Sequence, residues 1–263
     1  MNRWPAALMV LAVSAVAQAA TPKNPVETTF TSNEPSTNLA ASAIIARALA
    51  NRPMQDLALK GRLFLTRDDK VPIEVFIRNT PTETRTIYRS DKMNLLVVQP
   101  LQGATQFYLR GVGQLSKARQ TENLLGSEFT LYDIGFPFMH WTNFTLLGDD
   151  RVRGRDCYRL EAKASNTNSP YAKVILWIDH DYFGLVRADG YDADGALVKR
   201  FAITSLKRIG DVWIPRGIEA ARVPPGQAMP AEVRSRLEFY DGNYNAKLPA
   251  DLFSEEQFKA SNP

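Results

Sequence analysis

The sequence predicts a mainly β protein, about eleven antiparallel strands in one curled sheet. Three observations predict it. The stretch Tyr171–Phe201 reads as three strands joined by two tight turns, the second at Asp192-Ala193-Asp194-Gly195, where Asp-Gly favours a hairpin. Apolar residues recur with period two from Leu57 nearly to the end of the chain, the spacing of a strand with one buried face. Almost every connection is too short for a β-α-β crossover, so neighbours pair antiparallel.

In chain order, Arg3, the apolar run Ala6–Val16 and Ala17-Gln18-Ala19 have the layout of a cleavable export signal over residues 1–19. The run is shorter than the ~20 residues that span a bilayer, so a membrane-spanning helix is the weaker reading. Residues 20–36, with Pro22, Pro25 and Pro35, form a flexible leader, and 37–263 a single domain. Ser36-Thr37-Asn38 offers N-cap oxygens to a helix over Leu39–Ala50, whose Ile44–Ala48 and Ile45–Leu49 spacings make an apolar stripe.

Strands follow at Leu57–Leu65 and Ile73–Arg78 around the Thr66–Lys70 hairpin, then at Glu83–Ser90, Met93–Val98 and Thr105–Arg110. Val112–Leu125 is polar with room for a helical turn. Leu131–Phe144 holds five aromatic rings besides His140, broken by Gly135 and Pro137, and is either a loop that plugs the core or an aromatic lip on a cavity. Strands resume at Asn143–Leu147, Asp156–Lys163, the Tyr171–Phe201 meander, Ala202–Arg208, Val212–Ala221 and Ala231–Tyr240, with a tight turn at Gly148–Gly154. The tail Leu248–Phe258 is a short helix or docked strap anchored by Leu252, Phe253 and Phe258.

Composition excludes several classes. Lys and Arg exceed Asp and Glu only 32 to 28, scattered among strands, unlike the basic stripe of a nucleic-acid binder; a weak attraction to anionic lipid surfaces is what remains. The single cysteine, Cys157, lies in a strand interior far from either histidine, so it reads as a small buried hydrophobe, and no disulfide supports the exported protein. His140 and His180 have no second ligand at zinc spacing. Asp189, Asp192 and Asp194 begin like a calcium loop, but the chain turns into a strand where the closing glutamate belongs. No metal or cofactor is expected. Asp179-His180-Asp181 could supply an acid–histidine pair, although a solvated turn explains it more simply.

What remains is apolar surface. The inward phase offers Leu63, Leu65, Val75, Ile77, Leu95, Val97, Phe107 and Leu109 from the first half of the sheet, and Leu160, Leu176, Ile178, Phe201 and Ile203 from the second. Ile45 of the helix and Phe136, Phe138, Met139 and Trp141 of the aromatic stretch complete the candidate wall. A sheet that curls without closing leaves a trough, and one lined this way suits an acyl chain or other lipid; a solid core is the competing expectation.

The run Val152-Arg-Gly154-Arg-Asp-Cys157-Tyr-Arg-Leu160, then Tyr171-Ala-Lys173, Trp177-Ile-Asp179, Arg187, Tyr191-Asp-Ala-Asp194-Gly195, Lys199 and Trp213-Ile-Pro215, with Ala43-Ile-Ile45 before and Leu252-Phe-Ser254 after, resembles the outer-membrane lipoprotein-sorting proteins of the LolA/LolB-like superfamily. That resemblance implies an unclosed antiparallel β-barrel, a half-barrel, with short helices as a lid. It also implies a non-enzymatic periplasmic carrier of lipid or lipoprotein acyl chains, with an inner-membrane transporter and an outer-membrane acceptor as partners. The alternative is a periplasmic sensor or assembly module using the same fold for protein–protein contact.

Overall fold

The computed structural model describes residues 36–164, 169–227 and 234–259. The expected export signal, most of the leader and residues 231–233 of the last expected strand lie outside them. Helix α1 spans Ser36–Ala50, and its Ala41, Ile44, Ile45 and Ala48 are buried, the i, i+3, i+4, i+7 stripe of an amphipathic helix. Arg47, beside that stripe, lies 4.0 Å from the centre of the Phe183 ring.

Thirteen strands follow among the described residues, where about eleven were expected from the sequence. They are β1 Leu57–Phe64, β2 Lys70–Asn79, β3 Glu83–Arg89, β4 Asn94–Pro100, β5 Gln106–Leu109 and β6 Gly113–Gln114, then β7 Asn143–Val152, β8 Arg155–Lys163, β9 Lys173–Asp179, β10 Leu185–Tyr191, β11 Leu197–Ile209, β12 Val212–Arg222 and β13 Arg234–Tyr244. All join one antiparallel sheet in the order β6-β5-β4-β3-β2-β1-β13-β12-β11-β10-β9-β8-β7. The sheet is not closed: β6 and β7 are its two edges. The chain starts in the middle, meanders out to β6, reappears at the opposite edge as β7 and meanders back until β13 pairs with β1.

Two boundaries differ from expectation. Gly148–Gly154 is not a turn: β7 runs on to Val152, and Gly148 (φ +114°) sits where the register with β8 shifts. A glycine there absorbs a bulge without ending the strand, and the turn is confined to Arg153 and Gly154, both at positive φ. The meander strand ending at Phe201 and the strand Ala202–Arg208 are one strand, β11: its pairing with β12 runs regularly through Phe201 and Ala202, and the register shifts come only around Ser205. Val112–Leu125 holds β6 and a four-residue helix, α2, at Lys117–Gln120.

The two faces of the sheet have different covers. The inner phase and α1 share one large core. On the outer face, the tail forms two 3-10 turns, Ala250–Phe253 and Glu255–Phe258, whose Phe253 and Phe258 pack with Ile87, Leu96 and Val98. A second outer cluster joins Cys157, Ile175, Trp177 and Val186. Trp177 therefore points away from the concave face, and Leu176 and Ile178 belong to the wall. No helix among the described residues is long and apolar enough to cross a membrane.

Candidate functional site: a plugged trough

The order of strands requires one long crossing connection. Since β6 and β7 lie at opposite edges, the chain between them must travel from one rim of the half-barrel to the other. Residues 115–142 make that crossing, and their apolar side chains drop into the trough. Leu124, Phe129, Ile134, Phe136, Phe138 and Met139 are all buried in the main core. Of the two readings of the aromatic stretch, residues 131–139 are the core plug, while Trp141 at its end is half-buried at the rim.

The residues expected to line the trough come together there. Leu63, Val75, Ile77, Leu95, Val97 and Phe107 from one half of the sheet meet Leu160, Leu176, Ile178, Phe201 and Ile203 from the other, with Ile45 above them. Leu65, Leu109 and Trp141 pack on the margin. Phe136, Phe138 and Met139 stand in the volume that those walls enclose. Phe136 and Phe138 contact each other edge-to-face with centroids 5.3 Å apart, and Phe136 meets Phe201 at the same separation.

The plug is not regular structure. It consists of 3-10 turns at Leu124–Gly126, Asp133–Gly135 and Pro137–His140, and Phe136 between the last two adopts φ 45°, ψ 51°. A bulky side chain in the left-handed region is strained by roughly 1–3 kcal/mol. The wall holds the plug through its backbone: the Tyr88 hydroxyl donates to the carbonyl of Ile134 at 3.0 Å and Gln99 Nε2 to that of Gly135 at 2.6 Å.

A buried ionic latch adds to this. Asp133, fully buried, accepts from Lys199 Nζ of β11 at 2.7 Å, from the Tyr171 hydroxyl at 2.6 Å and from the backbone N–H of Thr130 at 2.8 Å. Burial and then the neighbouring carboxylate push the Tyr171 hydroxyl far above its ordinary pKa, so it remains a donor. Gly190 makes room for it, since a Cβ there would lie 2.6 Å from the Tyr171 ring. Sequence reasoning missed this latch. Its traces were an acid inside the apolar run Leu131–Met139 and a lysine, Lys199, on the same strand phase as Phe201 and Ile203.

At the end of the plug, both ring nitrogens of His140 are shut off from solvent without a hydrogen-bond partner. Burial first, and then the positive charge of Arg52, lower its pKa to about 4; Arg52 itself is held by Thr84 Oγ1 at 3.0 Å and the carbonyl of Thr80 at 2.8 Å. Beside His140 and Trp141 a pocket of about 420 Å³ opens between the plug, α2 and the loop before β5.

The other sequence candidates are structural in their contacts. Asp179 is buried, paired with Arg155, and accepts the N–H groups of Asp181 and Tyr182 to form the turn. His180 lies against Tyr158 and meets Asp149 at 3.1 Å on the surface, so the acid–histidine run does not converge in a cleft. Burial pushes the Cys157 thiol up to about 12, which keeps it protonated. Asp192 accepts from the N–H of Asp194 and Ala196, closing a hairpin. Among the described residues no three His, Cys, Asp or Glu side chains gather as a metal site.

This architecture has known counterparts. A domain from Vibrio parahaemolyticus, given as an outer membrane lipoprotein-sorting protein, superposes with a TM-score of 0.72 at 18% identity, over 83% of this chain and 98% of its own. A DUF1329 family protein from Desulfovibrio piger matches at 0.72 and 17% identity over 86% and 100%. A LolA superfamily protein from Nitrosomonas europaea matches at 0.58 and 18% over 82% and 98%. The chain thus has the fold of the LolA-like, lipoprotein-sorting class. It belongs to the family described as "Uncharacterized protein", whose profile matches residues 107–260. No curated protein matches the sequence.

Proposed function

We propose that the protein is an exported, periplasmic carrier that takes lipid or lipoprotein acyl chains into the trough and moves them between membranes. Residues 1–19 would be its export signal, 20–36 its leader and 37–263 its carrier domain. The observation that supports this reading is the nature of what fills the trough. The wall is continuous sheet, but its content is an irregular crossing segment held by a latch, by hydrogen bonds from Tyr88 and Gln99 to its backbone and by contacts of Glu128 with Ser235 and Arg222, with Leu125 and Phe136 at positive φ and a histidine whose ring nitrogens lack hydrogen-bond partners.

Such content is exchangeable. Burying an acyl chain gains about 0.8 kcal/mol per methylene, and withdrawing Phe136, Phe138 and Met139 costs about 1.5–3 kcal/mol for each side chain exposed. Gain and loss are similar in size, so uptake and release are both accessible, as a shuttle between a donor transporter and an acceptor requires. The walls named above would then contact the chain directly.

Mass spectrometry of organic extracts from the purified protein, with uptake of a fluorescent fatty acid, tests this. Co-purifying lipid and saturable uptake are expected; no lipid and no uptake would overturn it. A second reading, a sensor or assembly module, draws on the same filled trough, since a solid core needs no cargo. It predicts a stable protein partner and no lipid exchange.

A further inference from the structure

The mouth end of the trough carries a guanidinium, Arg52, whose charge the exchange of plug for acyl chain does not require. We propose that the cargo is a free fatty acid whose ionised carboxylate is held by Arg52, with the chain running away from it along the apolar wall. This rests on the carrier reading, and it names the end of the cargo that stays at the mouth and the charge it bears.

Arg52 follows the last turn of α1, is half-buried and is tied to the β2–β3 hairpin. Its Nη1 donates to Thr84 Oγ1 at 3.0 Å and its Nη2 to the carbonyl of Thr80 at 2.8 Å. A guanidinium has five N–H groups, so these two bonds fix its plane and leave the others for a ligand. Hydrogen bonds to Asp56, Asp179 and Asp189 raise the pKa values of Arg78, Arg155 and Arg200. Burial lowers that of Arg52, and among the described residues its hydrogen-bond partners are both neutral oxygens. A guanidinium held in this way is completed by an anion, and a planar carboxylate matches its fork.

His140 adds a donor. Its ring lies close enough to Arg52 to feel that charge, and both ring nitrogens are buried without a hydrogen-bond partner; a neutral imidazole carries a hydrogen on one of them. The same ring lines the pocket of about 420 Å³ at the mouth, which gives the carboxylate its way in. Gly103 to Gln106 of that pocket follow β4, whose Pro100 pairs with Glu83 next to Thr84. Pocket and Arg52 therefore lie at one end of the sheet.

The wall beside Arg52 changes character within one row. Asn79, Thr84 and Gln99 are buried register neighbours on β2, β3 and β4. The next row along the strands is Ile77, Thr86 and Val97, where the buried Thr86 hydroxyl has no hydrogen-bond partner. A head group at Arg52 thus has its chain on apolar wall at once. The charge must sit at the very end of the chain, as in a fatty acid; a glycerophospholipid would place its glycerol and ester groups where the wall is already apolar.

The test is isothermal titration calorimetry of the full chain with dodecanoate and with the neutral dodecanol, comparing the parent with Arg52→Gln and Arg52→Lys. Dodecanoate should bind about tenfold more tightly than dodecanol. Arg52→Gln should bring the two together, and Arg52→Lys, which keeps the charge, should restore part of the difference. Equal binding of acid and alcohol by the parent, or a preference for the acid that survives Arg52→Gln, overturns the inference and leaves the carrier reading standing. No binding of either probe overturns both. An NMR titration of bound, carboxyl-labelled dodecanoate decides the point in the parent itself, whatever the variants do to folding. A carboxylate held by Arg52 should titrate below the pKa of the same acid in water. A carboxyl merely buried in an apolar trough titrates above it, and that result overturns the inference with the carrier intact.

Discussion

Asp133 is the residue on which the position of the plug depends. Replacing it with Asn leaves the Lys199 ammonium buried without its counter-charge, and breaking such a pair costs about 3–5 kcal/mol. Urea unfolding of Asp133→Asn should show a loss of that size, with faster uptake of a fluorescent fatty acid through the loosened plug. The double change Asp133→Leu with Lys199→Met removes both charges and should restore most of the stability. An unfolding midpoint unmoved by Asp133→Asn would show that the latch does not hold the plug. His140 makes a second prediction at this scale. Its folded pKa of about 4 lies below the ordinary 6.5, so between those values the unfolded chain binds a proton that the folded chain does not. The stability linked to His140 is therefore complete above pH 6.5, falls as pH drops toward 4 and levels off below it, a change of about 3 kcal/mol. His140→Gln should flatten that component when urea unfolding is compared at neutral pH and near pH 4.5; an unchanged pH dependence would contradict it.

At the scale of elements, Phe138 is one of the fully buried rings by which the plug fills the trough. Phe138→Ala should cost about 3–5 kcal/mol in thermal or urea unfolding, and the space it leaves should tighten binding of a fatty-acid probe. A variant with lower stability but no gain in binding would favour a purely structural plug. The elements themselves were legible to different degrees. Strand phase placed Leu63, Val75, Leu95, Leu176 and Phe201 on the inner face because alternation is local and survives any topology. The stripe Ile44–Ala48 located α1 for the same reason. The end of β7 was not legible, because glycine at 148 lets a strand continue through turn-like composition, and the continuity of β11 was not, because it is set by its ladder with β12 rather than by any local pattern. The latch was hidden because Asp133 and Lys199 are distant in sequence and meet only through the crossing.

At the scale of the whole molecule, the crossing follows from topology. One meander runs outward from β1 to β6 and the other inward from β7 to β13, so the connection 115–142 must cross between the two edges, and its apolar side chains place that crossing in the trough. The curled antiparallel sheet was readable from short connections; the strand order, and hence the plug, was not, since no local pattern says which strand is an edge. The filled trough therefore becomes the feature that a carrier must change. Hydrogen exchange of residues 124–141 with and without a saturating fatty acid measures that change directly. The carrier reading predicts that amides of the plug, above all Gly135 to Met139, exchange faster in the bound protein while those of β4, β9 and β11 are protected. Saturable binding that leaves the plug amides as slow as before, or no binding, would contradict it.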